Sequence, residues 1–290
     1  MNIGIIGGGS IGLLVSGFLS LKHNITIYVQ REEQKNAINR NGLIIGERKT
    51  SRVRSLLINE LSNEDCLIIC VKQPQLKLLI PILHSLGDKI PLIFLQNGMG
   101  HIEFIKSLDQ TIYVGIVEHG AIRKSDNRVL HTGKGLIRLA TFKGHSNQLN
   151  DLLKALNVDD FPIKKSSHWK QLLSEKLVVN AVINPLTTLF GIKNRQINED
   201  PHVNYLARQL CKEAATVLGM DVNEEWSKVK EIAKLTGDNT SSMLVDMNNK
   251  RETELEAITG YLLAHSNQDI PYTSFVYHSI KALERKNGIY

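Results

Sequence analysis
The spacing of apolar positions changes twice within the first thirty-one residues. Asn-Ile-Gly-Ile-Ile at 2–6 is a short apolar run, the length of one buried strand. Leu14, Val15, Phe18 and Leu19 then recur at helical spacing. After the break at His23-Asn24, Ile-Thr-Ile-Tyr-Val at 25–29 predicts a second strand, ending at Gln30-Arg31.

The alternation continues downstream. Residues 32–41 form a polar, helix-like stretch closed by the turn signal Asn41-Gly42. Residues 43–45 and 53–58 read as short strands, paired as a hairpin insert. Residues 65–71 are continuously apolar, the pattern of a parallel strand buried on both faces. A helix is expected over 76–86, a strand over 91–95 and a short helix over 102–108. Strands over 113–117 and 136–140 follow, with a turn near Thr132-Gly133, then a helix over 148–156. Strands alternating with helices predict an α/β fold with a doubly wound, mostly parallel sheet. After Phe161-Pro162 the strand-like runs nearly vanish, and helical periodicity dominates from 169 to 286. The pattern therefore predicts two domains, 1–166 and an all-helical 167–290.

Between the first strand and the first helix lies Gly7-Gly8-Gly9-Ser10-Ile11-Gly12, which fits G-x-G-x-x-G. In that context the motif predicts a dinucleotide site. Gly7 allows the tight turn, Gly9 admits a pyrophosphate to the backbone, and Gly12 lets helix and strand pack closely. The helix presents unpaired N–H groups and its positive dipole end to phosphate. An acidic residue ending the second strand would select NAD. Arg31 stands there instead and pairs with a 2′-phosphate, favouring NADP. A strand ending one residue later would make Glu32 the ribose partner and reverse the preference.

Composition narrows the class. The 290 residues carry a formal net charge of +6. That suits anionic small molecules, and without a long basic block or aromatic-basic alternation no nucleic-acid partner is expected. No apolar run is long enough to span a bilayer, so no membrane partner is expected either. Cys66 and Cys70 lie in a strand-like run and, with Cys211, form no paired framework. A reducing, cytoplasmic location is expected. No metal-binding spacing is present among the histidines, so no metal is expected.

Candidate chemistry falls at strand ends and on one helix. Lys72 follows one apolar run and Asn97, within Gln96-Asn97-Gly98-Met99-Gly100, follows another, where ligands of open parallel sheets sit; Lys72 is placed to meet a cofactor phosphate or ribose, and Asn97 to bond ribose or nicotinamide and to face the substrate. Within the apolar stretch 172–189, Lys176, Asn180 and Asn184 are spaced i, i+4, i+8 and form one narrow polar stripe. A helix apolar almost all round is buried, so the stripe needs a polar cleft to face. Pro185 removes a backbone donor and frees a carbonyl. Ser242 falls near a predicted helix start, where a hydroxyl and free N–H groups suit a carboxylate. Glu252, Glu254 and Glu256 open another helix, and spacing does not distinguish among them.

Those residues carry a resemblance to the ketopantoate reductase family over nearly the whole chain. It rests on the glycine turn, Arg31, Lys72, Gln96-Asn97-Gly98-Met99-Gly100, Glu175-Lys176 with Asn180 and Asn184-Pro185-Leu186-Thr187, Asn194, Ser241-Ser242-Met243-Leu244 with Asp246, and Thr253-Glu254-Leu255 leading to Ile258-Thr259-Gly260-Tyr261. The resemblance implies an N-terminal Rossmann domain, a helical C-terminal domain with the active site between them, and NADPH-dependent reduction of ketopantoate to pantoate in pantothenate synthesis. It implies that Lys176 is the catalytic lysine, and that Asn97, Asn180, Asn184, Asn194 and Ser242 contact substrate. It places Lys72, Ala121 and Glu254 at the cofactor or active site, and it alone selects Glu254 among its acidic neighbours. His101, Glu118-His119-Gly120 and the region 44–58 depart from the family's pattern. Two other readings remain open at this point: reduction of another 2-keto or β-hydroxy acid on the same scaffold, and a non-catalytic NADPH-sensing protein. The keto acid is the expected small-molecule partner, and the apolar helices of the second half are compatible with a monomer or a homodimer.

Overall fold
The computed structural model describes residues 1–50, 53–62 and 64–289. The strands are β1 (Asn2–Ile6), β2 (Asn24–Val29), β3 (Ile44–Ile45), β4 (Arg48–Lys49), β5 (Val53–Leu57), β6 (Cys66–Ile69), β7 (Leu92–Phe94), β8 (Ile112–Val117), β9 (Gly120–Ser125), β10 (Arg128–Gly133), β11 (Ile137–Lys143) and β12 (Ile163–Lys165). The helices are α1 (Ser10–Leu19), α2 (Glu32–Asn41), α3 (Gln73–His84), α4 (Ile102–Ile105), α5 (Ser146–Leu156), α6 (Trp169–Phe190), α7 (Gln196–Glu199), α8 (Pro201–Leu218), α9 (Val222–Leu235), α10 (Ser242–Asn248), α11 (Tyr261–His265) and α12 (Pro271–Lys286). The chain divides into two compact units: Met1–Gln96 with Phe104–Leu172, and Asn97–Glu103 with Leu173–Tyr290.

The first unit is built on an eight-stranded sheet in the order β12-β11-β8-β7-β6-β1-β2-β5. Its strands from β8 to β5 are all parallel, and β11 runs antiparallel to β8. The strand order reverses between β1 and β6, which makes their carboxyl ends the ligand-binding point of a doubly wound sheet. Ile3, Ile5, Ile27, Ile68 and Ile93 fill its core with Leu13, Leu14 and Leu19 of α1. Burial raises the thiols of Cys66 and Cys70 to about 12, as expected of core residues.

Two expectations are corrected here. The stretches at 43–45 and 53–58 do not pair with each other. β5 adds in parallel to β2, with Val53 opposite Ile25, while β3 pairs with β4 and β10. Thr132-Gly133, expected as a turn, closes β10, and the break before β11 follows at residues 134–136; a further tight turn lies at 126–127, between β9 and β10, two strands absent from the expected set. They join β3 and β4 in a second sheet, ordered β4-β3-β10-β9. The strands of this small sheet mix Arg123, Lys124, Arg128 and His131 with apolar residues in place of a continuous apolar run.

The second unit is helical. Helix α8 packs against α7, α9, α11 and α12. Asp200 accepts backbone N–H bonds at the start of α8, Asp221 does so for α9, and Ser241 for α10. Glu213 on α8 accepts from the backbone N–H groups of Tyr272 and Thr273 at the start of α12, at 3.0 and 2.7 Å. Helix α6 continues unbroken past Pro185, and Leu177, Val178, Val182, Ile183 and Leu186 on it are buried. Among the described residues no helix is long and apolar enough to cross a membrane.

Candidate active site
In the first unit the glycine turn follows β1 directly. Gly7 has a φ of 114°, in the region glycine alone adopts freely. A Cβ on Gly12 would lie 1.8 Å from Gly7 O, so α1 begins tight against the turn. A Cβ on Gly9 would meet nothing within 4 Å, so its backbone is open to a ligand's approach. No side chain caps α1 at Gly9, in contrast to α8, α9 and α10. An uncapped helix start behind an open glycine fits a pyrophosphate. Ser10 Oγ accepts from Arg123 N at 3.1 Å, and Gln34 Nε2 donates to Gly8 O at 2.8 Å. The first contact escaped the sequence because the strand carrying Arg123 did; the second joins distant segments, which no local spacing marks.

Arg31 lies between the end of β2 and the first residue of α2, and its guanidinium pairs with Asp126. Glu32 opens α2 and lies 3.7 Å from Lys35. Lys72, half-buried, precedes α3 at the end of the β6 segment, and Ala121 is on β9 opposite His131.

Asn97 begins a short segment of the second unit. Its Nδ2 donates to Glu254 Oε2 at 2.8 Å. Gly98, at φ 75°, approaches so closely that a Cβ there would lie 2.1 Å from Ala257 O. Met99 N donates to that carbonyl at 3.2 Å. The close approach that glycine permits at Gly98 is thus to the protein's own backbone. Glu254 stands two residues before a π-helical turn, Glu256–Gly260. Such turns are rare and recur at functional sites. Glu284 on α12, fully buried, accepts from Thr253 N and from Thr253 Oγ1 at 3.1 and 2.7 Å, anchoring the backbone beside Glu254.

Lys176, Asn180 and Asn184 share one side of α6, with Lys176 half-buried rather than fully enclosed. Asn180 and Asn184 are 8% and 6% exposed, yet their side chains make no hydrogen bond to another described residue. Two buried amides left this way favour a ligand that bonds them. Glu175, beside Lys176, accepts from Lys228 Nζ at 3.0 Å, and Lys228 also reaches the buried Glu225 at 2.7 Å. Burial acts to lower the Lys228 pKa, but the two carboxylates outweigh it and hold the ammonium above its ordinary value.

Asn194 Nδ2 donates to Thr236 Oγ1 at 3.0 Å, while Asn194 Oδ1 is buried without a partner among the described residues. Ser242 is exposed at the first position of α10. Its neighbour Ser241 caps that helix and meets the Thr187 hydroxyl at 2.7 Å, tying α10 to α6. The buried Thr187–Ser241 contact and the Glu284 anchor are further residues that spacing alone did not single out.

Known proteins match the chain over nearly its whole length. A family model described as Ketopantoate reductase PanE/ApbA matches residues 3–144, and its C-terminal counterpart matches 168–284. A curated relative, "2-dehydropantoate 2-reductase" of Bacillus subtilis (strain 168), is 42% identical over 298 residues, covering 99% of each chain. The crystal structure of a probable 2-dehydropantoate 2-reductase from Bacillus subtilis is 41% identical, with a TM-score of 0.89, covering 98% of this chain and 100% of that one. A D-mandelate dehydrogenase solved with NADH and anilino(oxo)acetate shares the fold at 21% identity, with a TM-score of 0.92 over 99% of this chain and 100% of that one.

Proposed function
The chain belongs to the ketopantoate reductase family, and from that premise we propose that it reduces 2-dehydropantoate to pantoate with NADPH, in pantothenate synthesis. The observation that carries the reading is the Lys176–Asn180–Asn184 stripe, which sets a half-buried cation beside two buried amides on one side of one helix. A nucleotide-sensing protein has no use for such a stripe in its helical unit.

The glycine turn, Gly9 and the uncapped start of α1 fit the pyrophosphate of a dinucleotide, and Arg31 fits a 2′-phosphate. When bound, the reduced nicotinamide supplies the hydride for the keto carbon. Lys176 holds its ammonium toward the carbonyl oxygen, stabilises the charge gained there and delivers the proton that completes the hydroxyl. Asn180 and Asn184 donate to substrate oxygens and fix the face presented for reduction. Ser242 binds the substrate carboxylate, with Asn194, whose backbone N–H donates to Asn239 O at 3.2 Å, as a further polar contact. Glu254, held by Asn97, orients a hydroxyl of substrate or of the nicotinamide ribose; Lys72 and Ala121 border the cofactor. The protein works in the cytoplasm, as a monomer or a homodimer.

The test is steady-state kinetics with a panel of 2-keto acids, following nicotinamide absorbance with NADPH and with NADH. The reading expects the highest kcat/KM for ketopantoate with NADPH. A higher kcat/KM for another keto acid, or binding of NADPH without turnover of any, overturns it.

A further inference from the structure
Arg31 is the residue that the reading above assigns to the 2′-phosphate, and in this structure an anion of the protein itself holds it. Asp126, in the turn between β9 and β10, pairs through Oδ1 with Arg31, and the same oxygen lies 3.7 Å from Arg123 Nη1. One carboxylate therefore sits between two guanidinium groups. The turn that carries it is bolted down by contacts other than that pair. Gln34 Nε2, buried, donates to Asp126 O at 3.0 Å and to Gly8 O at 2.8 Å. Asn127 Nδ2 donates to Gly42 O at 2.8 Å, and Arg123 N donates to Ser10 Oγ at 3.1 Å. Arg123 Nη1 also reaches Gly8 O at 3.4 Å, so its guanidinium borders the glycine turn itself.

Resting on that reading of Arg31, we infer that Asp126 is a built-in competitor for the 2′-phosphate of the cofactor, and that Arg123 is the second guanidinium of the phosphate site. A partly exposed carboxylate–guanidinium pair is weak and yields readily to a dianion with three acceptor oxygens. The displaced carboxylate cannot leave, because main-chain bonds hold its turn in place. It stays close to the phosphate and weakens NADPH selectively. NADH carries no 2′-phosphate and leaves the Arg31–Asp126 pair intact, so Asp126 narrows the gap between the two cofactors.

Equilibrium binding of NADPH, NADH and adenosine 2′-monophosphate to the full chain tests this without any keto acid. Asp126→Asn preserves the main-chain bonds of the turn. It is expected to tighten NADPH and adenosine 2′-monophosphate about three- to ten-fold and to leave NADH within about two-fold. Arg123→Gln is expected to weaken the two ligands that carry a 2′-phosphate more than it weakens NADH. The gain from Asp126→Asn should vanish in an Arg31→Ala background. Equal effects of Asp126→Asn on NADPH and NADH, or none, overturn the inference, as does an equal loss for both cofactors in Arg123→Gln. If Arg31→Ala itself weakens NADPH and NADH alike, the NADPH reading falls and takes the inference with it. If Arg31→Ala is selective and Asp126→Asn is silent, the inference alone falls.

Discussion
Asn97 and Glu254, 157 positions apart in sequence, meet at 2.8 Å, the Asn97 amide donating to the Glu254 carboxylate. A hydrogen bond to a charged group is worth about 1.5–3 kcal/mol, enough to hold Glu254 in one rotamer. Asn97→Ala and Glu254→Gln should each lower kcat/KM about 10- to 100-fold. The double variant should cost little more than the worse single one, because both remove one unit. A double-mutant cycle on kcat/KM checks this, and strictly additive losses would show that the two side chains act separately.

Gly98 is required twice over, by its φ of 75° and by the 2.1 Å that would separate a Cβ from Ala257 O. Gly98→Ala should destabilise the fold by about 1–3 kcal/mol from backbone strain alone, with more from the clash. Thermal unfolding should record a melting temperature lower by several degrees. An unchanged value would mean that the segment beside the π-helical turn shifts without cost.

His101 is 1% exposed, both ring nitrogens lack partners among the described residues, and burial pushes its pKa from 6.5 down to about 4. His119, against Phe161 and His131, is pushed to about 4 as well, by burial first and then by His131. Above pH 6.5 both states of the chain hold these rings neutral. Between pH 6.5 and 4 the unfolded chain takes up a proton that the folded chain refuses, so stability falls with pH across that window. For His101 the loss at pH 5 is about 2 kcal/mol. Denaturant unfolding at pH 7 and pH 5 should show it, and His101→Leu should flatten the difference. A pH dependence identical in the variant would assign the loss to other groups.

The strand–glycine turn–helix–strand opening was legible because strands buried on both faces leave continuous apolar runs, and because the glycines between β1 and α1 have few other uses. The stripe on α6 was legible for the same kind of reason, since Lys176, Asn180 and Asn184 recur every four residues within a largely apolar helix. The hairpin of β9 and β10 was not. Its strands mix charged and apolar residues without a clean period, and Arg123, Asp126 and His131 read as loop until the partner strands are known. Ile-Lys-Lys of β12 offers a single buried residue, too short a pattern for any period. The contact of Asn97 with Glu254 joins distant segments, and no local spacing separates Glu254 from Glu252 and Glu256; only the family resemblance picked it out.

The claim on which the rest depends is that Lys176 delivers charge and a proton to the reacting oxygen. The direct measurement is single-turnover reduction of ketopantoate by Lys176→Ala, alongside its equilibrium binding of NADPH. The account predicts a rate lower by about 10²- to 10⁴-fold with NADPH affinity unchanged. A near-normal rate, or a loss of rate matched by a loss of NADPH binding, would contradict it.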